Sequence, residues 1–209
     1  MRLDLAPGAG VSEAQLVDRF GFSKAAVRAG LAQLRAEGLV VAESRRAHVV
    51  APLTMRDVLE IYDLRLQLEP PATEAAAGRI EREELARLQA LAEPPVDAED
   101  AQSLERFIAA NRTIHLAIVE AAGNRRTVRI VERLLDDSER ARRVALRAGA
   151  ASHGVRARQE LRHVLDELAA GDGRRAAELM AATIRAFRDE LVESLQRAAL
   201  DMPLTGLRG

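Results

Sequence analysis

Ser12-Glu13-Ala14-Gln15-Leu16-Val17-Asp18-Arg19-Phe20-Gly21-Phe22-Ser23-Lys24-Ala25-Ala26-Val27-Arg28 is the stretch on which the fold turns. Ser12 followed by Gln15 is a capping-box pattern, in which each residue's side chain satisfies the other's backbone N–H at a helix start. Leu16, Val17 and Phe20 give that helix one apolar stripe, and Gly21 stops it. Ser23 caps a second helix, along which Ala26, Val27, Leu31 and Leu34 recur at helical spacing until Gly38. Two short helices around a Phe-Gly-Phe turn predict a helix-turn-helix.

Working outward, Leu39-Val40-Val41 and His48-Val49-Val50 predict two strands around the polar tip Glu43-Ser44-Arg45-Arg46. Helix-turn-helix followed by a β-hairpin is the order of a winged helix. Beyond Ala51-Pro52 the texture changes to amphipathic helix rich in Ala, Leu, Arg and Glu. Thr54 predicts the start of a helix over 55–69 that Pro70-Pro71 interrupts and that resumes through Ala77. Further helices are predicted over 81–92, 101–121, from the Asn124 cap to about 148, 155–170 and from Asp172 to about 199, with 93–100 a linker and Gly149 to Gly154 a loop. Short connections between long helices predict antiparallel neighbours in a bundle. The expected fold is mainly α: a winged helix over 1–51, an all-α antiparallel bundle over 52–200 and a tail over 201–209.

Composition bounds the chemistry. With no cysteine in 209 residues, disulfides, thiolate metal sites and cysteine nucleophiles are excluded. Five aromatic side chains and no tryptophan argue against a base-stacking platform for single strands. The formal charge is −1, yet residues 1–50 carry +2 and the remainder −3, a mildly basic head on an acidic body. All basic residues but Lys24 are arginine. No apolar run reaches the roughly 20 residues of a membrane span, and the N-terminal residues carry no signal-peptide pattern. A cytoplasmic protein is expected.

Two ordered sets of residues carry a resemblance. Pro7-Gly8, Ser12-Glu13, Leu16, Phe20-Gly21-Phe22-Ser23-Lys24, Val27-Arg28, Leu31, Leu34 and Glu37-Gly38-Leu39-Val40 resemble the winged helix of GntR-family transcription regulators. Asp57-Val58-Leu59-Glu60-Ile61-Tyr62 with Arg65 and Leu68-Glu69-Pro70, then His115-Leu116, Glu120 to Asn124 and Leu168 to Asp172, resemble the ligand-binding FCD domain of the FadR subfamily. The resemblance covers about nine tenths of the chain. One departure is that the family places a further helix before the Pro-Gly turn, whereas this sequence begins almost at that turn.

The resemblance implies that Ser23, Lys24 and Arg28 meet DNA from the start of the second helix, with Arg45, Arg46 and His48 of the wing beside them. Ser23 would bond a phosphate, and Arg28 would present its fork to guanine. Lys24 stands where the family has a bidentate arginine, which weakens readout there. Ala25 and Ala26 offer only apolar contact, as to a thymine methyl. The alternative for each charge is a solvated surface residue.

The resemblance also implies a divalent-metal site at Asn111, His115, Leu161 and Thr183, of which only His115 keeps a family ligand. Leu161 cannot coordinate, and His163 lies about 200° around the helix from it. No cofactor is therefore expected, and an organic effector, a small carboxylate above all, is expected to contact Arg65, Asn111, His115 and Thr183 directly. Arg65 either offers its fork to that acid or pairs with Glu69 one turn on, and His115 is either an effector contact or a hydrogen-bonded core residue.

The function expected is a ligand-responsive repressor that binds a palindromic double-stranded operator as a homodimer. One alternative keeps the ligand-binding domain and has lost DNA binding. The other, an enzyme using His115 for acid–base chemistry, lacks a nucleophile, a carboxylate pair or a phosphate loop to work with.

Overall fold

The computed structural model describes residue 5 and residues 8–43, 47–93, 100–147 and 155–200. Wing residues Arg45 and Arg46, the 94–99 part of the linker, the 149–154 loop with His153, and the 201–209 tail lie outside the described residues. The chain divides into two compact units, Met1–Thr54 and Met55–Gly209.

In the first unit, strand β1 (Gly10–Ser12) leads into helices α1 (Glu13–Phe20) and α2 (Lys24–Ala36), then strands β2 (Val40–Ala42) and β3 (Ala47–Val50). Both predicted caps form. Ser12 Oγ accepts from the Gln15 N–H at 3.3 Å while Gln15 Oε1 accepts from the Ser12 N–H at 2.9 Å, closing the box. Gly21 ends α1 with φ of 69°, a left-handed geometry that costs glycine nothing. Ser23 Oγ then accepts from the Ala26 N–H at 3.2 Å and starts α2. Val27 and Leu31 of α2 close on Val40 of β2, with Leu16, Val17 and Leu34 around them, so the apolar stripes read from spacing make one small core.

Among the described residues the sheet has three strands rather than the two expected, all antiparallel, with β3 central in the order β1-β3-β2. Gly10-Val11-Ser12 is too short for any alternation to declare a strand. Its pairing with Val49, His48 and Ala47 is made by a segment far along the chain.

Among the described residues the second unit holds six helices: α3 (Met55–Ala76), α4 (Arg82–Ala92), α5 (Ala101–Ala121), α6 (Arg125–Arg147), α7 (Val155–Ala170) and α8 (Gly173–Leu200). Helix α3 packs against α8, α6 and α5, and α7 packs against α8 and α4. The core gathers Val58, Leu88, Ile108, Ile118, Leu165 and Met180, each within 2% of full burial. Asn124 caps α6 by accepting from the N–H groups of Arg126 and Thr127 at 3.0 and 3.3 Å.

The expected break at Pro70-Pro71 does not occur, because α3 runs through both prolines. Two N–H groups are lost there, at a local cost of several kcal/mol. Buried residues lie on both sides, Val58, Ile61 and Tyr62 before the prolines and Ala72, Thr73 and Ala76 after them. A real break would pull one of these sets out of the core, so packing overrides the local preference.

Candidate functional site

The first unit presents an exposed helix start. Ser23, Lys24 and Arg28 are all solvent-exposed, while Val27 between them is buried and fixes the rotation of α2. Lys24 and Arg28 are one helical turn apart and so share a face. The Ser23 hydroxyl is already engaged as the cap. Arg28 is not free in orientation, since its Nε donates to both carboxylate oxygens of Glu13 on α1, at 2.8 and 3.1 Å. The sequence gives no sign of this pairing, because the two residues belong to different helices and no spacing rule relates them.

His48 is placed differently from the expectation. It lies in the middle of β3 between Val11 and Ala42, only 7% exposed, and Nδ1 has no hydrogen-bond partner. Its ring belongs to the interior of the small unit and not to a groove-facing surface. Strand alternation turns it inward, which the three-residue reading of the wing did not settle.

The second unit buries a polar cluster where α3, α5, α6 and α8 meet. Arg65 is 1% exposed and donates through Nε to Glu69 Oε1 at 2.6 Å. Nη1 donates to Ser138 Oγ at 3.3 Å, and the guanidinium lies 5.1 Å from the centre of the Tyr62 ring. Glu69, fully buried, also takes a very short contact from Nδ1 of His115. Of the two alternatives for Arg65, the pair with Glu69 is the one realised.

These contacts set the protonation states. Burial alone would push the Glu69 carboxyl up, but the Arg65 guanidinium, with His115, outweighs it and holds the group down at about 2. Burial lowers the His115 imidazole, and the charges of Arg65 and Arg142 add to that, against the opposing pull of Glu69. The two groups are coupled, and the direction supported is an ionised Glu69 beside a neutral His115. A carboxylate can only accept, so the single ring proton sits on Nδ1 and points at Glu69. Arg65 Nη2, 3.5 Å from the same nitrogen, then makes no good hydrogen bond to it. Nε2 of His115 is left as a buried acceptor without a partner among the described residues.

Asn111, one turn earlier on α5, is 5% exposed and its Oδ1 likewise has no partner among the described residues. Thr183 is fully buried on α8 and donates its hydroxyl proton to the Leu179 carbonyl at 2.9 Å, keeping lone pairs to accept. Sequence reasoning missed Arg142 of α6. It is 5% exposed, packs 4.6 Å from the Phe187 ring centre and 5.4 Å from that of Phe107, and has an unpartnered Nη1. The Arg-rich run around it, Arg140 to Arg143, reads as a solvated face, and only the packing of α6 shows that Arg140 and Arg142 are buried.

The residues do not fit the divalent metal that the resemblance implies. Leu161 is buried and apolar, and Asn111 and Thr183 are weak neutral ligands. The Nδ1 atom of His115 is committed to Glu69. Among the described residues no group of three or more His, Cys, Asp and Glu side chains could hold a metal ion. His163 is exposed, as its helical phase required.

A small winged helix followed in the same chain by an all-α bundle that buries a polar cluster defines the class: a helix-turn-helix unit with a helical companion domain. The FCD domain family matches residues 60–186, and the bacterial regulatory protein gntR family matches residues 1–50. The chain belongs to the gntR family and carries its FCD domain. It is 30% identical over 131 residues to the HTH-type transcriptional regulator YdhC of Bacillus subtilis (strain 168), covering 62% of this chain and 58% of that one. It is 27% identical over 136 residues to the HTH-type transcriptional repressor GlaR of Escherichia coli (strain K12), covering 63% and 62%. The matched part thus spans about three fifths of those relatives' length. The solved structure of McbR/YncC from E. coli superposes with a TM-score of 0.79 at 23% identity, covering 91% of this chain and 90% of that one, which supports the fold. No helix among the described residues is long and apolar enough to cross a membrane.

Proposed function

We propose that the protein is a cytoplasmic, effector-controlled transcription repressor that binds a palindromic double-stranded operator as a homodimer. The carrying observation is the capped start of α2, which presents Lys24 and Arg28 on one exposed face while Val27 and Leu31, on the adjoining face, anchor the helix in the unit's small core. That geometry suits insertion of the helix start into a major groove, with Arg28 directed at a guanine edge. Glu13 holds Arg28 by Nε, leaving the two terminal nitrogens for base atoms. The modest charge of the head predicts weak non-specific affinity, so joining two heads in one dimer supplies much of the grip.

The effector is proposed to bind in the buried polar cluster of the second unit, at Asn111, His115 and Thr183. Unsatisfied buried polar atoms are costly and rare, and a ligand that pairs with them recovers that cost. Arg65 serves this site indirectly, by fixing Glu69 and through it the His115 tautomer. A ligand acts on DNA binding only to the extent that it favours one arrangement of the protein over another.

The test is selection of DNA from a random-sequence library by the purified protein, followed by gel-shift titration of the selected duplex. Arg28→Ala is expected to cost roughly 1–3 kcal/mol and to relax preference at one base in each half-site. An Arg28→Ala protein with unchanged affinity and unchanged preference refutes the groove assignment. Enrichment of no sequence at all favours the alternative of a ligand-binding protein without DNA binding.

A further inference from the structure

The unpaired charge of Arg142 carries a statement about the effector that the rest of the cluster does not. It rests on the reading of the second unit as an effector domain. Arg65 and Glu69 cancel, and His115 is neutral with its one proton on the Glu69 side. Arg142, buried to the same degree as Asn111, forms no ion pair among the described residues. Its surroundings are the stacked rings of Phe107 and Phe187, whose centres are 6.2 Å apart, and the Tyr62 hydroxyl; burial lowers the guanidinium's proton affinity, and Tyr62 offsets part of that. Glu139 has the smallest influence on it, and that carboxylate's own ion pair is with Arg143 at 3.9 Å.

Phe107, Asn111 and His115 follow at four-residue spacing on α5, so one of the two rings that seat Arg142 lies on the same helix face as the two unpartnered acceptors, and Phe187 of α8 supplies the other. Among the described residues a donor without a partner, Nη1 of Arg142, is thus associated with two acceptors without partners, Oδ1 of Asn111 and Nε2 of His115. We infer that Arg142, and not Arg65, is the residue that selects the effector's charge. The ligand is a monoanion whose negative end pairs with Arg142 and whose hydroxyl or other hydrogen-bond donor faces Asn111 and His115. One unpaired guanidinium calls for one negative charge, and a second would enter a buried site with nothing to neutralise it.

The experiment measures binding to the full-length protein by thermal shift and calorimetry, using matched compounds over a range of chain lengths. For each carbon skeleton the set holds the hydroxy-monocarboxylate, the same acid without the hydroxyl, the hydroxy-amide and the hydroxy-dicarboxylate. At least one hydroxy-monocarboxylate is expected to raise the Tm. Its amide, its deoxy form and its diacid are each expected to bind roughly ten- to a hundredfold more weakly. Arg142→Met should abolish the preference for acid over amide while leaving the ligand-free Tm unchanged or higher, since it removes an unpaired buried charge. Arg142→Lys, which keeps the charge, should restore part of that preference.

An Arg142→Met protein that still prefers the acid overturns the assignment. So does a ligand that needs His115 and Asn111 but is indifferent to charge, and in that case the effector-domain reading stands. If no member of the panel binds, the monoanion is refuted, and a neutral compound that releases the protein from its selected DNA would still uphold the effector domain. Binding unaffected by changes at Arg142, Asn111 and His115 alike refutes both.

Discussion

Replacing Glu69 by glutamine removes the negative charge that two neighbours depend on. In the wild-type protein its carboxylate takes the Nε–H of Arg65 at 2.6 Å and the Nδ1–H of His115, all three side chains being essentially inaccessible to water. The variant keeps an amide oxygen that can accept from Arg65 but leaves the buried guanidinium with no negative charge, its other contacts being Ser138 Oγ at 3.3 Å and the Tyr62 ring at 5.1 Å, beside a second buried guanidinium at Arg142. Removing one member of a buried ion pair costs roughly 3–5 kcal/mol, because the survivor stays desolvated. In a unit of this size each kcal/mol moves Tm by roughly 2–4 °C, so the melting point should fall by roughly 6–20 °C. The informative comparison is the double replacement Arg65→Met with Glu69→Leu, which removes both charges and keeps apolar bulk. Such swaps are often neutral or stabilising, so its melting point should lie well above that of Glu69→Gln. Thermal and urea unfolding of the two variants decides the matter. A Glu69→Gln protein within about 1 kcal/mol of wild type, or a double variant as unstable as the single one, refutes the claim that Glu69 exists to neutralise Arg65.

Stability should depend on acid pH in two stages, read as Tm against pH. The fold lowers the proton affinity of His115, so the unfolded chain takes up a proton that the folded one refuses as pH drops below 6.5, and stability declines. Glu69 adds stability that is fully present above 4.5 and is lost as pH falls from there to about 2. Asp137 and Glu139, whose carboxyls burial pushes up, act in the opposite sense and shallow the slope. A His115→Gln protein should lack the first stage, and a decline below 6.5 that survives this change would refute its assignment to His115. At the start of α8, Gly173→Ala should destabilise by roughly 1–3 kcal/mol despite alanine's better helix propensity. An added Cβ there would lie 2.6 Å from the Glu74 carbonyl oxygen and 2.8 Å from Ala77 Cβ. Equal or higher urea stability in that variant would show that α8 can shift away from α3.

Much of the architecture is local and was therefore legible. The Ser12–Gln15 box, the Ser23 cap, the Asn124 cap and the Gly21 stop are each decided by residues within four positions of one another, and each forms as read. Where a local rule met a tertiary opponent it failed. Pro70-Pro71 should end a helix, yet core residues on both sides hold α3 through them. His48 looked like a wing residue, but its pairing with Val11 in an unforeseen third strand turns it inward.

The sequence by itself determined the winged helix, the helical bundle, the family and the exposed face of α2, since periodicity and caps depend on neighbours along the chain. It also placed Arg65 and Glu69 at a spacing where they could pair. Only the tertiary structure decided that they do, that His115 turns its proton to that pair, and that Arg142 rather than Arg65 keeps an unpaired buried charge. Contacts such as Glu69 with His115, 46 residues apart, and Arg65 with Ser138, 73 apart, explain why. Burial and charge balance are sums over neighbours that distant segments supply, and no spacing along the chain records them.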